Sequence, residues 1–210
     1  AGSMVTIPWR GRTLYGIVAT LSTTSSLEPK KIKSILEIID IPPLPAHVIH
    51  TLLWIGEFYL SALATVAYAL IPTPPKNWNH EATKIKIPQK HEFLHLRAPL
   101  SPHLLTYHST PEKIEHILQI LDSTDQNTLI ITPHHEDIPV LCSKLSITHA
   151  SDIAIYHGGL TPKKQWQTWC AIADGTKRIV IGTRAAILTP IVNLGAIIFL
   201  ETESIDHKQY

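Results

Sequence analysis

Cysteine is scarce in this chain of 210 residues: only Cys142 and Cys170 occur, 28 residues apart. With no Cys-x-x-Cys pair, neither a zinc ribbon nor a disulfide framework is indicated, and a reducing, cytosolic setting fits best. Strong net charge is also missing, at +1 overall. That total hides an uneven spread: residues 1–100 carry 10 Lys and Arg against 6 Asp and Glu, and residues 101–210 carry 8 against 11. A mildly basic front half is compatible with a polyanionic partner, and equally with simple surface solubility. The 13 histidines are scattered. Their one adjacent pair, His134-His135, lacks the i, i+4 spacing of a helical metal site, so no metal is expected. No signal-peptide pattern is visible, and Ala1-Gly2-Ser3 has the composition of an artificial leader and is set aside.

One long apolar run is present. Residues 51–71 contain a single formal charge, Glu57, and are long enough to cross a bilayer. A carboxylate at the centre costs about 2.5 kcal/mol or more on insertion. Ser61, Thr65 and several alanines fit a packed helix better, and no Lys/Arg cluster flanks the run. No membrane association is expected.

The remaining pattern reads as two structured stretches. Residues 4–9 and 13–21 flank Arg10-Gly11-Arg12 as a β-hairpin with a basic tip. Residues 33–39 form a third strand candidate, and Pro45 opens a helical period running through Val48, Leu52, Ile55, Tyr59, Leu63, Val66 and Leu70. Proline and charge dominate residues 72–102, a linker with one short strand candidate at 84–87. From residue 103, strands (103–107, 128–132, 153–156, 178–182, 196–200) alternate with helices (112–121, 137–145, 162–173). Such alternation predicts an α/β fold with a parallel sheet. The expected division is 1–75, a 76–102 linker, and 103–210.

The end of the chain is the most informative part. RIVIGTRAAILTPIVNLGAIIFLETES holds two short Val/Ile-rich strands, each followed by polar residues: Gly182-Thr183-Arg184 after one, Glu201 and Glu203 after the other. Carboxyl ends of parallel strands are where open α/β sheets place ligands. This run resembles, without gaps, the corresponding run of PriA-type replication-restart helicases (primosomal protein N′), and YHGGLTPKKQWQTW extends the similarity upstream. The resemblance implies a RecA-like first helicase lobe, with Thr183 and Arg184 contacting phosphates.

The front third is similar to the same family separately. VTIPWRGRTLYGIV, KIKSILEIID and LLWIGEFYLSALATVAYALIP match its 3′ DNA-binding domain. The resemblance implies DNA contacts from Lys33 and from the Arg10-Gly11 turn, with Arg12 and Lys31 as further phosphate ligands; phosphate contacts set affinity without reading sequence. The family's preceding segment, which holds the 3′ hydroxyl, and its winged helix are expected to be absent.

One piece of chemistry is missing where the resemblance calls for it. A phosphate cradle needs glycines whose N–H groups close around the phosphates, then a Lys-Thr pair. The matching segment, Tyr107-His108-Ser109-Thr110-Pro111-Glu112-Lys113-Ile114, has no glycine. Lys113 alone falls on a cradle position, and Ser109 to Glu112 reads as an ordinary capped helix start. The family's Asp-Glu-Glu-His acidic motif becomes Glu201, Thr202, Glu203, Ser204, and a threonine cannot position the attacking water as a carboxylate does. The expectation is a pseudo-helicase that binds fork or single-strand/duplex junction DNA, with no nucleotide cofactor and no catalytic residue, beside replication or restart proteins. Two alternatives stay open: a fragment of a working ATP-dependent helicase, and an interaction scaffold that no longer meets DNA.

Overall fold

The computed structural model describes residues 1–75, 78 and 102–207. The expected linker and its strand at 84–87 fall almost wholly outside them. The chain forms an α/β fold with two sheets, a three-stranded antiparallel one of order β2-β1-β3 and a four-stranded parallel one of order β5-β6-β4-β7.

The front sheet begins with β1 (Met4–Trp9) and β2 (Arg12–Ile17), paired from Met4↔Ile17 to Trp9↔Arg12. Arg10 and Gly11 form the two-residue loop at φ of +47° and +77°. Two consecutive positive φ values are what a tight hairpin needs to follow the strand twist, and only the second falls on glycine. The third strand, β3, is much shorter than expected: only Glu37–Ile38 pairs, with Val5 and Thr6. Residues 1–3, set aside from the sequence, belong to the fold. Gly2 donates to the Val18 carbonyl at 2.7 Å and accepts from Leu44 at 3.0 Å. Its φ is +87°, and a Cβ there would run into the Leu44 backbone.

The long helical period breaks into α1 (Ala46–Phe58) and α2 (Leu63–Leu70). Ser61 N–H returns to the Gly56 carbonyl at 2.8 Å and Leu60 N–H to Glu57 at 3.2 Å. With Leu60 at φ +50°, this is a Schellman stop carrying leucine where glycine is usual. No helix among the described residues is long and apolar enough to cross a membrane.

The second sheet contains β4 (Asn127–Ile131), β5 (Ile153–Tyr156), β6 (Ile179–Gly182) and β7 (Leu194–Phe199). Helices α3 (Thr110–Asp122) and α4 (Asp137–His149) pack on one face, through Ile117, Ile138 and Leu145 against Ile130 and Ile181. Helix α5 (Pro162–Ala173) covers the other, where Trp166, Trp169 and Ile172 meet Leu129, Ile131 and Val180. Burial on both faces explains why the inner strands β4 and β6 read as continuous apolar runs, whereas the edge strands leave Ile155, Ile197 and Phe199 exposed. The α5 face continues into the front core of Met4, Val48, Leu52 and Ile71 as one apolar cluster, and Trp78 sits edge-on to Trp166 at 5.3 Å.

One expected strand does not form. Residues 103–107 have no regular structure, and Leu104 and Leu105 are exposed. The segment has Thr106 as its only β-branched residue and pairs with no strand among the described residues.

Candidate nucleic-acid interface and the Lys113–Glu201 pair

Arg10, Gly11 and Arg12 are all exposed at one end of the front sheet. Two exposed aromatics share that hairpin, Trp9 at 55% and Tyr15 at 42%. The Arg10 guanidinium lies 5.9 Å from the centre of the Trp9 ring. Cations beside open aromatic faces are what a single strand uses, one for its phosphates and the other for its bases. Lys33 precedes Leu36, whose N–H bonds to the Thr6 carbonyl at 2.9 Å. The antiparallel direction of β3 carries the chain before it towards the Arg10 end of β1. Lys33 is exposed and has no ion-pair partner among the described residues, whereas Lys31 is tied to Glu28 at 3.3 Å. The aromatics were not singled out from the sequence, although Trp9-Arg10-Gly11-Arg12 carries the signal openly.

At the second sheet, Thr183 and Arg184 follow the carboxyl end of β6, half-buried and exposed respectively. Gly182 before them is required by close packing, because a Cβ there would strike the Tyr156 carbonyl oxygen. Glu201 follows β7 at a φ of +52°.

Lys113 and Glu201 are brought together. Lys113 Nζ donates to Glu201 Oε1 at 3.0 Å, with both side chains largely shielded. The same ammonium lies 5.4 Å from the centre of the Tyr107 ring. At the start of α3, Ser109 Oγ accepts from Glu112 N–H at 3.4 Å and the Glu112 carboxylate accepts from His108 N–H at 2.7 Å. Pro111 has no N–H to offer. Two amides at this helix start, those of His108 and Glu112, are therefore occupied by the loop's own side chains, and Ile114 is buried in the core. Glu203 is exposed and does not join the pair.

Residues 1–72 match the family model of the PriA 3′ DNA-binding domain. The replication restart protein PriA of Synechocystis is 37% identical over 84 residues, covering 40% of this chain and 10% of that protein. That of Haemophilus influenzae is 32% identical over 96 residues, 46% of this chain and 13% of that protein. The Rickettsia conorii PriA aligns with 99% of this chain at 24% identity, over 34% of its own length. The chain therefore resembles PriA along its length, most specifically over residues 1–72. It spans about a third of the length of the Rickettsia PriA relative that it matches end to end. The front sheet, with α1 and α2, is thus the part that aligns with a PriA DNA-binding domain, and its exposed basic hairpin lies within that match.

Proposed function

We propose that this chain binds DNA at forks or single-strand/duplex junctions in replication restart, and that it does so as a PriA-like pseudo-helicase without hydrolysing ATP. In this reading residues 1–75 are the DNA-binding unit and residues 103–210 a RecA-like first lobe that has lost its nucleotide. Arg10, Arg12 and Lys33 supply phosphate contacts from the front sheet, and Thr183 and Arg184 from the lobe. Replication or restart proteins are the partners.

The observation that carries the pseudo-helicase half is the internal closure of the phosphate loop. A nucleotide would have to displace Glu201 from Lys113 and Glu112 from the His108 amide, while bringing its own negative charge beside both carboxylates. No glycine N–H is present in that loop to repay the exchange. Isothermal titration with ATP and magnesium tests it: no heat of binding is expected at micromolar to millimolar nucleotide. Micromolar binding that Lys113→Ala abolishes would instead establish the working-helicase alternative.

The scaffold alternative has an observation of its own. Trp54, Phe58 and Tyr59 form an exposed ladder on α1, with ring centres 4.9 and 5.0 Å apart. Fluorescence anisotropy with a forked oligonucleotide separates it from DNA binding, because phosphate contacts must weaken as salt rises.

A further inference from the structure

The carboxyl ends of β4, β5 and β6 enclose an open hollow of about 170 Å³ lined by His135, His157, Gly158, Gly159 and Thr183. It lies on the same edge of the sheet as the Lys113–Glu201 pair. The two imidazoles are stacked, 5.8 Å between centres and 21° apart in plane. Gly159 N–H donates to His157 Nδ1 at 3.2 Å. That bond requires Nδ1 to be unprotonated, so the neutral ring carries its proton on Nε2. A second proton has only Nδ1 to bind to. Its arrival breaks the Gly159 bond and releases that amide as a donor, in the same step that makes the ring a cation. Nothing lies within 4 Å of where a Gly158 side chain would start, so the mouth of the hollow is open.

We infer that this hollow is a phosphodiester site gated by one proton, in which His157, the freed Gly159 N–H and the Thr183 hydroxyl take one backbone phosphate of a DNA strand. It deepens the DNA-binding reading and rests on it for the source of the phosphate. Burial first, and then His135, hold the His157 imidazole below the usual histidine range, so the empty hollow resists the proton. A phosphate in the hollow beside the His157 ring offsets that penalty with its negative charge. The surrounding charges leave the task to His157. Glu136 already pairs with His135 Nδ1 at 3.2 Å, His134 with Asp206 at 3.3 Å, and Asp137 accepts from Thr132 at 3.3 Å. Arg184, next to Thr183 and exposed, adds a fixed positive charge at the rim.

The test follows the histidine ring resonances of the whole chain from pH 5 to 8.5, alone, with a ten-nucleotide thymidine strand, and with inorganic phosphate. The strand should raise the His157 midpoint by about one pH unit, which corresponds to about tenfold tighter binding of the strand to the protonated form. Anisotropy should then show affinity for the same strand rising about tenfold more between pH 8 and 5.5 in the native chain than in His157→Gln. Salt-sensitive DNA binding with an unmoved His157 overturns the hollow and leaves the DNA-binding reading intact. An equal shift with inorganic phosphate overturns the assignment to a strand. No DNA binding at any pH, with His157 unmoved, overturns both.

Discussion

The two sheets treat the charges of their matching motifs in opposite ways. In the front sheet Arg10, Arg12 and Lys33 are exposed to solvent, and the Arg10 guanidinium lies 5.9 Å from the centre of the exposed Trp9 ring. Beside the parallel sheet the Lys113 ammonium and Glu201 carboxylate close on each other, and the His108 and Glu112 amides are capped by side chains of their own loop. A charge held ready for a partner stays exposed because solvation costs it nothing. Lys113 and Glu201 neutralise each other instead, because a half-buried ion left alone is costly.

The largest effect should come from the shared core. Trp166 is fully buried and meets Trp78 edge-on. Trp166→Ala should lower stability by about 3–5 kcal/mol, read as a fall in the urea midpoint. Trp54, 56% exposed on α1, should change it by no more than about 0.5 kcal/mol when replaced by alanine. Equal losses would mean the α1 ladder is covered in solution, and the contrast between an open front and a closed lobe would fail.

Next comes the basic hairpin. Reversing Arg10, Arg12 and Lys33 to glutamate should weaken binding to a forked oligonucleotide and flatten its salt dependence. If each neutralises one duplex phosphate, the log–log slope falls by about 2.7. Arg184→Glu should move it by no more than one phosphate's worth, about 0.9. A slope set by Arg184 rather than by the hairpin would reverse the comparison.

How much of this was legible depended on where burial acts. The strand at 179–182 follows from an apolar run because both sheet faces are covered there, and the helix at 162–173 follows from its Thr161-Pro162 start. The break between α1 and α2 was not legible, since the apolar period runs through Tyr59 and Leu63 across it while Leu60 takes a glycine's conformation. Gly2 looked dispensable by position, yet at positive φ its two backbone hydrogen bonds tie the end of the β1–β2 hairpin to the segment before α1. Residues 103–107 were read as a strand from composition alone, and a strand needs a neighbour. At the site, the loss of the cradle glycines was visible in the letters. The Lys113–Glu201 pair, 88 positions apart, and the stacked histidines from two different strand ends were not.

A smaller effect tests the hairpin itself. Gly11 has φ +77°, and nothing lies within 4 Å of where its Cβ would be. Gly11→Ala therefore strains only the backbone, at about 1–2 kcal/mol. The melting temperature should fall modestly, with the DNA salt slope preserved. A lost slope would show that the phosphate contacts depend on the turn's shape as well as on its charges.

The smallest effect is acid sensitivity, and each half of the molecule contributes one imidazole to it. Burial, then the nearby His50, hold His47 on α1 below the ordinary 6.5. His157 is held down by burial and then by His135. A folded state with depressed imidazoles binds fewer protons in acid than the unfolded chain does. The stability these groups contribute is therefore present above about pH 6.5 and is lost as pH falls through their folded values. The melting temperature should be lower at pH 5 than at pH 7.5, and His47→Gln and His157→Gln should each shrink the difference. Because the front core and the α5 face form one apolar cluster, calorimetry should show a single transition moving down. Two transitions separating in acid would mean that the halves differ in stability as well as in what their charges do, with the imidazole of the first-melting half setting the order.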